Sequence, residues 1–66
     1  MLTIDGHPYV PWKRTLTPRD VLRKFGYNES VYSIAVNGQL IRQKEYRVYK
    51  IPSEATVIIF RLAQGG

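Results

Sequence analysis

The residues with the clearest potential for chemistry are the last two, Gly65 and Gly66. They follow the most apolar run of the sequence, Val57–Leu62, after only two intervening residues. Because glycine lacks a Cβ, a terminal pair can thread a slot too narrow for other residues and present its α-carboxylate to an enzyme. We therefore expect a tail on which an enzyme acts, with Gly65 passing through the slot. Small residues also occur at disordered chain ends without any function, which leaves an incidental pair as the alternative.

Other residue types argue against an active site in this chain. The sequence has no cysteine, which excludes a disulfide, a thiolate metal site and a thiol nucleophile. The single histidine, His7, lies in or near the first hairpin turn, and the sequence has no second histidine and no cysteine to bind a metal with it. The acidic residues are scattered, and each has a turn, cap or surface explanation, so no carboxylate pair for acid–base catalysis is expected. We predict no catalytic residue, no metal site and no cofactor.

Length and charge limit the remaining possibilities. A chain of 66 residues forms one small domain, which buries only about 60% of the surface of its unfolded chain. The net charge is +5, but the basic residues are spread along the sequence without an uninterrupted basic block or an aromatic RNA-binding motif. A solvated basic surface is favoured over a nucleic-acid groove, and a small basic nucleic-acid-binding module remains the alternative from another functional class.

The ends and the apolar runs bear on location. The first residues lack the basic start and long apolar stretch of a signal peptide. No run approaches the roughly 20 apolar residues of a membrane span. We expect a cytoplasmic protein without a membrane partner.

The first elements that must support the tail form a hairpin. Apolar and polar residues alternate over Leu2–Ile4, and Asp5-Gly6 is a turn signal. Tyr9–Trp12 is predicted to be the second strand. It should lie at an edge of the sheet, because Pro8 and Pro11 have no N–H to donate to a central ladder.

A short helix is predicted over Pro18–Phe25. Thr17 occupies the N-cap position, proline suits the first helical position, and Asp20 complements the positive end of the helix dipole. Gly26 suits the left-handed conformation that ends many helices. One apolar stripe faces the core, and it consists of Val21, Leu22 and Phe25.

The second half of the chain predicts another hairpin, a crossover and a final strand. Ser33–Val36 is followed by Asn37-Gly38, one of the strongest hairpin signals, with a loose turn as the alternative, and then by Gln39–Ile41. The charged and tyrosine-rich segment Gln43–Lys50 should form a short extended or irregular crossover. After a turn, Thr56–Leu62 forms the last strand.

This order predicts an α+β fold of the β-grasp, or ubiquitin-like, type. A mixed sheet of four to five strands carries one main helix on one face, and the last strand lies parallel to the first in the middle. The domain spans residues 1–62, and residues 63–66 form a flexible diglycine tail. Both faces of the last strand are apolar, yet one helix covers only one face. Some apolar surface should therefore be exposed for docking.

Three segments carry a family resemblance: Ala35–Ile41, Gln43–Tyr46 and Ile59–Gly66. Together with the overall length they resemble the small sulfur carriers of thiamine biosynthesis (ThiS type), in the superfamily of ubiquitin-like proteins that includes MoaD. The resemblance covers the whole chain, and its specific features lie in the second half. Two features differ from the usual pattern of the family: the turn before the last strand is Pro52–Thr56 rather than a Gly-Asp pair, and the chain is basic rather than acidic.

The resemblance implies a protein co-substrate rather than an enzyme. A ThiF-like adenylating enzyme would activate the Gly66 carboxylate with ATP, and a sulfur donor protein would convert it to a thiocarboxylate. That sulfur would pass to a ThiG-like thiazole synthase. The expected apolar docking residues are Ile58, Phe60 and Leu62. A ubiquitin-like protein modifier, or a carrier for molybdopterin synthesis, tRNA thiolation or cysteine synthesis, has the same kind of tail and remains an alternative.

Overall fold

Five strands, one α-helix and one short 3₁₀ helix alternate along residues 1–61, which are the residues described by the computed structural model. In chain order the elements are β1 (Leu2–Ile4), β2 (His7–Tyr9), α1 (Pro18–Lys24), β3 (Tyr32–Val36), β4 (Gln39–Leu40), the 3₁₀ helix (Gln43–Glu45) and β5 (Thr56–Arg61).

The five strands form one mixed sheet in the order β2-β1-β5-β3-β4. The last strand, β5, lies in the centre, parallel to β1 and antiparallel to β3. Its position between the two hairpins, with α1 packed across one face, is the β-grasp arrangement. The predicted α+β class, the mixed sheet and the parallel pairing of the first and last strands are therefore confirmed.

The first hairpin is shorter than the sequence indicates. Asp5 and Gly6 both have positive φ, 53° and 83°, as a type I′ turn requires. This two-residue turn starts the pairing at once, with Ile4 opposite His7. Because β1 has only three residues, its partner β2 ends at Tyr9, and the strand predicted at Tyr9–Trp12 is wrong. The predicted edge position is correct, since β2 is the first strand of the sheet.

The helix begins at the predicted N-cap and ends one residue earlier than predicted. The backbone N–H of Asp20 donates to Thr17 Oγ1 at 3.3 Å, and the backbone N–H of Thr17 donates to Asp20 Oδ2 at 3.0 Å. These two bonds form a capping box, which satisfies N–H groups that lack a partner within the helix. Phe25 is the C-cap, and Gly26 follows with a φ of 74°.

The hydrophobic core lies between α1 and one face of the sheet. Val21 and Leu22 of α1 are buried there, as predicted, and Phe25 packs against the core while half-buried. The buried cluster consists of Leu2, Ile4, Leu16, Val21, Leu22, Ile34, Val36, Ile41, Tyr46, Ile51, Ala55 and Val57. Within residues 1–61, no helix is long and apolar enough to cross a membrane.

The crossover before β5 is irregular rather than extended. It contains the 3₁₀ helix and then buries Tyr46, whose hydroxyl donates to the backbone carbonyl of Tyr32 at 3.4 Å. The carbonyl of Tyr46 in turn accepts from the backbone N–H of Arg19 at 3.0 Å, at the first turn of α1. The crossover is thus attached to both the helix and the sheet.

Candidate functional site

The strand β5 separates its apolar residues between two faces of the sheet. Val57 is fully buried and Ile59 half-buried, and both pack against the core. Ile58 and Phe60 alternate with them and are 43% and 42% exposed on the face that α1 does not cover. Their exposure is what the sequence predicts for docking residues. The third expected docking residue, Leu62, lies outside the described residues, as do Gly65 and Gly66.

Neighbouring strands extend this apolar surface. Ala35 of β3 lies opposite Ile58 on one side and opposite Leu40 of β4 on the other. Directly opposed residues share a face of a sheet, so Leu40, Ala35 and Ile58 form a row across three strands. Leu40 is 60% exposed. Leu40 and Ile58, at the two ends of the row, lie roughly 10 Å apart at the usual strand spacing. Because the alanine side chain between them is short, the surface has a shallow depression at its centre.

We call the surface made by Leu40, Ala35, Ile58 and Phe60 the open-face patch. Sequence reasoning missed Leu40. The Asn37-Gly38 turn could have indicated that Leu40 shares a face with Ala35, since a two-residue hairpin fixes the register. It could not have shown that Ile58 continues the row, because that contact depends on the pairing of β3 with β5.

Two turn residues hold β5 in its place in the sheet. The N–H of Ile59 donates to Asp5 Oδ1 at 2.9 Å, and the N–H of Thr56 donates to Asn37 Oδ1 at 2.9 Å. The Asn37 backbone N–H also donates to the Thr56 carbonyl at 2.8 Å. Each hairpin turn therefore contributes a side chain to the central strand, in addition to connecting its own strands.

This attachment bears on the tail because β1 pairs with β5 only at its start. The paired residues are Thr3 with Thr56 and Ile4 with Val57. Beyond that point, Asp5 replaces the absent strand neighbour of Ile59, while β3 pairs with β5 as far as Arg61. The structure thus fixes the strand that precedes residues 62–66 from both sides.

The electrostatics of the described residues concern folding more than catalysis. Burial favours a raised pKa for Asp20, but hydrogen bonds from Lys13 and from Thr17 outweigh it, so the pKa of Asp20 is lowered. This carboxylate belongs to the helix cap. Residues 1–61 hold no group of three histidine, cysteine or acidic side chains that could bind a metal, and His7 lies exposed on the edge strand.

Comparisons with known proteins place the fold. No protein-family model matches the chain, and no curated protein matches it. Among solved structures, the crystal structure of the thiamine biosynthesis protein ThiS from Geobacter metallireducens superposes with a TM-score of 0.80. The match covers 98% of this chain and 97% of that chain, with 16% sequence identity. The chain therefore has the ubiquitin-like β-grasp fold of ThiS, and the resemblance found in the sequence is confirmed at the level of the fold.

Proposed function

We propose that this chain is a sulfur carrier protein, in which the C-terminal carboxylate of Gly66 becomes a thiocarboxylate. The observation that carries the proposal is the near-complete superposition on a ThiS protein, combined with a Gly65-Gly66 pair shortly after β5. The chain is then a protein co-substrate. It needs no catalytic residue and no bound cofactor of its own, because the activating partner uses the ATP.

The chemistry explains why the reacting group is a bare carboxylate. A carboxylate is a poor electrophile, because it has no good leaving group. Its oxygen attacks the α-phosphorus of ATP, which gives an acyl adenylate and releases pyrophosphate. Hydrosulfide, delivered by a sulfur donor protein, then attacks the acyl carbon, and AMP leaves with the electron pair of the C–O bond. The sulfur must come from outside, since the chain has no cysteine.

The open-face patch supports docking to a ThiF-like adenylating enzyme. Ile58 and Phe60 lie in the middle of a sheet face that no other described element covers, and Leu40 extends the apolar surface towards the edge. Removing such surface from water in a complex contributes a favourable free energy of about 25 cal/mol per Å² of apolar area. Leu62 continues the alternation of β5 in the sequence, and we assign it to the same docking surface. Gly65 then threads the channel of the partner.

Thiamine biosynthesis is the proposed destination of the sulfur, with a ThiG-like thiazole synthase as the acceptor enzyme. This assignment rests on the function named for the ThiS protein that shares the fold. The proposed location is the cytoplasm, where ATP and the activating enzyme are available. Neither nucleic acid nor a membrane is among the proposed partners.

Intact-mass measurement tests the proposal directly. The protein ending at Gly66 is incubated with ATP, a ThiF-like enzyme and sulfide. The expected result is a mass gain equal to the replacement of one oxygen by sulfur, which requires ATP and is lost when Gly66 is deleted. A variant with Ala63 changed to serine serves as the control, since it keeps both glycines and should gain the same mass.

Two other outcomes contradict the proposal. No gain, with an enzyme shown to be active on its own carrier, excludes thiocarboxylate formation by that class of enzyme. A new species joined to a lysine through Gly66 identifies a protein modifier instead.

Addition of thiazole synthase and its other substrates to the thiocarboxylate form then tests the pathway, because a thiamine carrier should lose its sulfur and return to the carboxylate.

A further inference from the structure

Two shallow grooves adjoin on the side of the molecule that carries α1. The first has a volume of about 220 Å³ and is lined by Arg19 and Arg23 of α1, and the second, of about 360 Å³, is lined by Lys44 and Arg47. Glu29 lines both grooves and marks their junction. We call the surface formed by Arg19, Arg23, Lys44 and Arg47 the basic surface.

The tertiary structure brings these four cations together from two distant segments. The backbone contact between Arg19 and Tyr46 attaches the crossover to α1. The side-chain amide of Gln43 donates to the Glu29 carbonyl at 3.0 Å, which attaches the 3₁₀ helix to the loop after α1. The basic surface therefore lies on the helix side, whereas the open-face patch lies on the other face of the sheet.

The four cations of the basic surface form no salt bridge within residues 1–61. The salt bridges there join Lys13 to Asp20 and the N-terminus to Glu54. In addition, the Nε of Arg19 is buried and has no hydrogen-bond partner among the described residues. Like charges gathered in this way repel one another. A partly desolvated guanidinium also attracts an anion more strongly than a fully hydrated one does, because the local dielectric constant is lower.

We propose that the basic surface docks an acidic surface of a protein partner. Arginine pairs with carboxylates through two parallel hydrogen bonds, which gives such a contact geometric specificity. Glu29 at the junction suits a protein partner, because it can accept a hydrogen bond from a donor there, whereas it repels a continuous run of phosphates. The arrangement is a mixed-sign surface with an excess of positive charge.

The aromatic residue of the first groove also disfavours single-stranded nucleic acid. The ring of Tyr27 stacks on Tyr32 with centroids 4.4 Å apart and on Phe25 at 5.9 Å. Both contacts occupy the ring, whereas base recognition uses free aromatic faces as stacking platforms. An acidic protein surface therefore fits the observed groups better than an oligonucleotide does.

The location of the basic surface allows two partners to bind at once. One partner can hold the helix side through charge while another contacts the open-face patch. This inference does not depend on the proposed function, because it concerns a different face and different residues. Failure of thiocarboxylate formation would leave it standing.

Titration with an acidic peptide, monitored by amide chemical shifts of the full chain, tests the proposal. The probe is a glutamate- and serine-containing peptide of about ten residues, and a single-stranded DNA of equal formal charge is the comparison. The peptide should shift amides of residues 19–30 and 43–47 and leave those of the open-face patch unchanged. The DNA should bind more weakly at equal salt concentration.

Charge reversal supplies the matched control. The double variant Arg23→Glu with Arg47→Glu alters one exposed cation in each groove and should weaken peptide binding by about tenfold or more. The control, Arg14→Glu with Lys50→Glu, lowers the net charge of +5 by the same amount outside the grooves and should weaken it far less. Circular dichroism checks that both variants fold.

Three results overturn the proposal. Equal weakening in the two double variants shows that net charge, and not this surface, attracts the peptide. If the peptide shifts only amides of other residues, or shifts none, the basic surface does not bind an acidic partner. Tighter binding of the DNA at the same amides assigns the surface to nucleic acid instead.

Discussion

Asp5 and Ile59, which are 54 positions apart in the chain, are joined by a 2.9 Å hydrogen bond from the Ile59 N–H to Asp5 Oδ1. Asp5 is the first residue of the β1–β2 turn, and Ile59 lies in the central strand between the exposed Ile58 and Phe60. The turn therefore replaces a strand neighbour of β5 at the point where β1 ends. A short β1 and an ordered β5 are compatible because of this contact.

Replacement of Asp5 by alanine should destabilise the fold. Asp5→Ala removes the acceptor for the Ile59 N–H and places alanine at a φ of 53°, so the free energy of unfolding should fall by about 1–3 kcal/mol. Asp5→Asn is the control, because asparagine tolerates this conformation and keeps an acceptor oxygen. Urea denaturation measures both variants. If asparagine costs as much as alanine, the carboxylate charge matters and the hydrogen bond does not.

The helix cap should make stability depend on pH in the acid range. The pKa of Asp20 is lowered from its usual 3.8 in the folded chain, so the unfolded chain binds the proton more readily. The contribution of Asp20 is therefore complete above the unfolded pKa and is lost as the pH falls through the folded pKa. The variant Asp20→Asn should have a free energy of unfolding about 1 kcal/mol lower at neutral pH. Its free energy of unfolding should also fall less steeply than that of the wild type as the pH is lowered into the acid range.

Unfolding by urea at a series of pH values checks this prediction. Glu54→Gln is the comparison, since Glu54 is highly exposed and its contact with the N-terminus is long, at 3.9 Å. Parallel curves for the wild type and Asp20→Asn would show that Asp20 does not cause the acid sensitivity.

Phe60 should contribute to recognition more than to stability. It is 42% exposed in the open-face patch, so Phe60→Asp places a charge where the proposed adenylating partner would bury apolar surface. We expect kcat/KM for adenylation of the tail to fall by about tenfold or more, with little change in the unfolding midpoint. Val48→Asp is the control, since Val48 is 68% exposed but lies in the crossover segment. An equal loss of kcat/KM in both variants would show that the open-face patch has no special role in recognition.

Substitution of Leu40 tests the part of the open-face patch that only the structure revealed. It belongs to a row with Ala35 and Ile58, so Leu40→Asp should also lower kcat/KM for adenylation. The neighbouring Gln39→Asp places the same charge one position away on β4, where successive side chains face opposite sides. Adenylation with a normal kcat/KM for Leu40→Asp would confine docking to β5 and the residues that follow it.

Local chemistry made several elements predictable from sequence. The N-cap threonine, the proline after it and Asp20 defined the start of α1, because each acts on backbone groups within a few residues. Asp5-Gly6 and Asn37-Gly38 likewise indicated two-residue turns, whose positive φ values need only these residue types. The exposed positions of Ile58 and Phe60 followed from strand alternation and the presence of a single helix.

The features that the sequence did not predict depend on residues that lie far apart in the chain. Tyr9–Trp12 has the composition of a strand, but the length of β1 decides how far β2 can pair. Gln43–Lys50 gave no indication that Tyr46 is buried against the sheet and the helix, because its partners are distant in the chain.

The sequence by itself determined the order of elements, the helix cap, the turns and the type of tail, since these depend on interactions between near neighbours. Only the tertiary structure decided that Leu40 and Ile58 lie in one row across the sheet, on either side of Ala35. It also decided that Arg23 and Arg47 line adjoining grooves. Scattered cations in the sequence indicated only a solvated surface. The reason is physical: residues far apart in the chain become neighbours through strand register and packing, which no local spacing encodes.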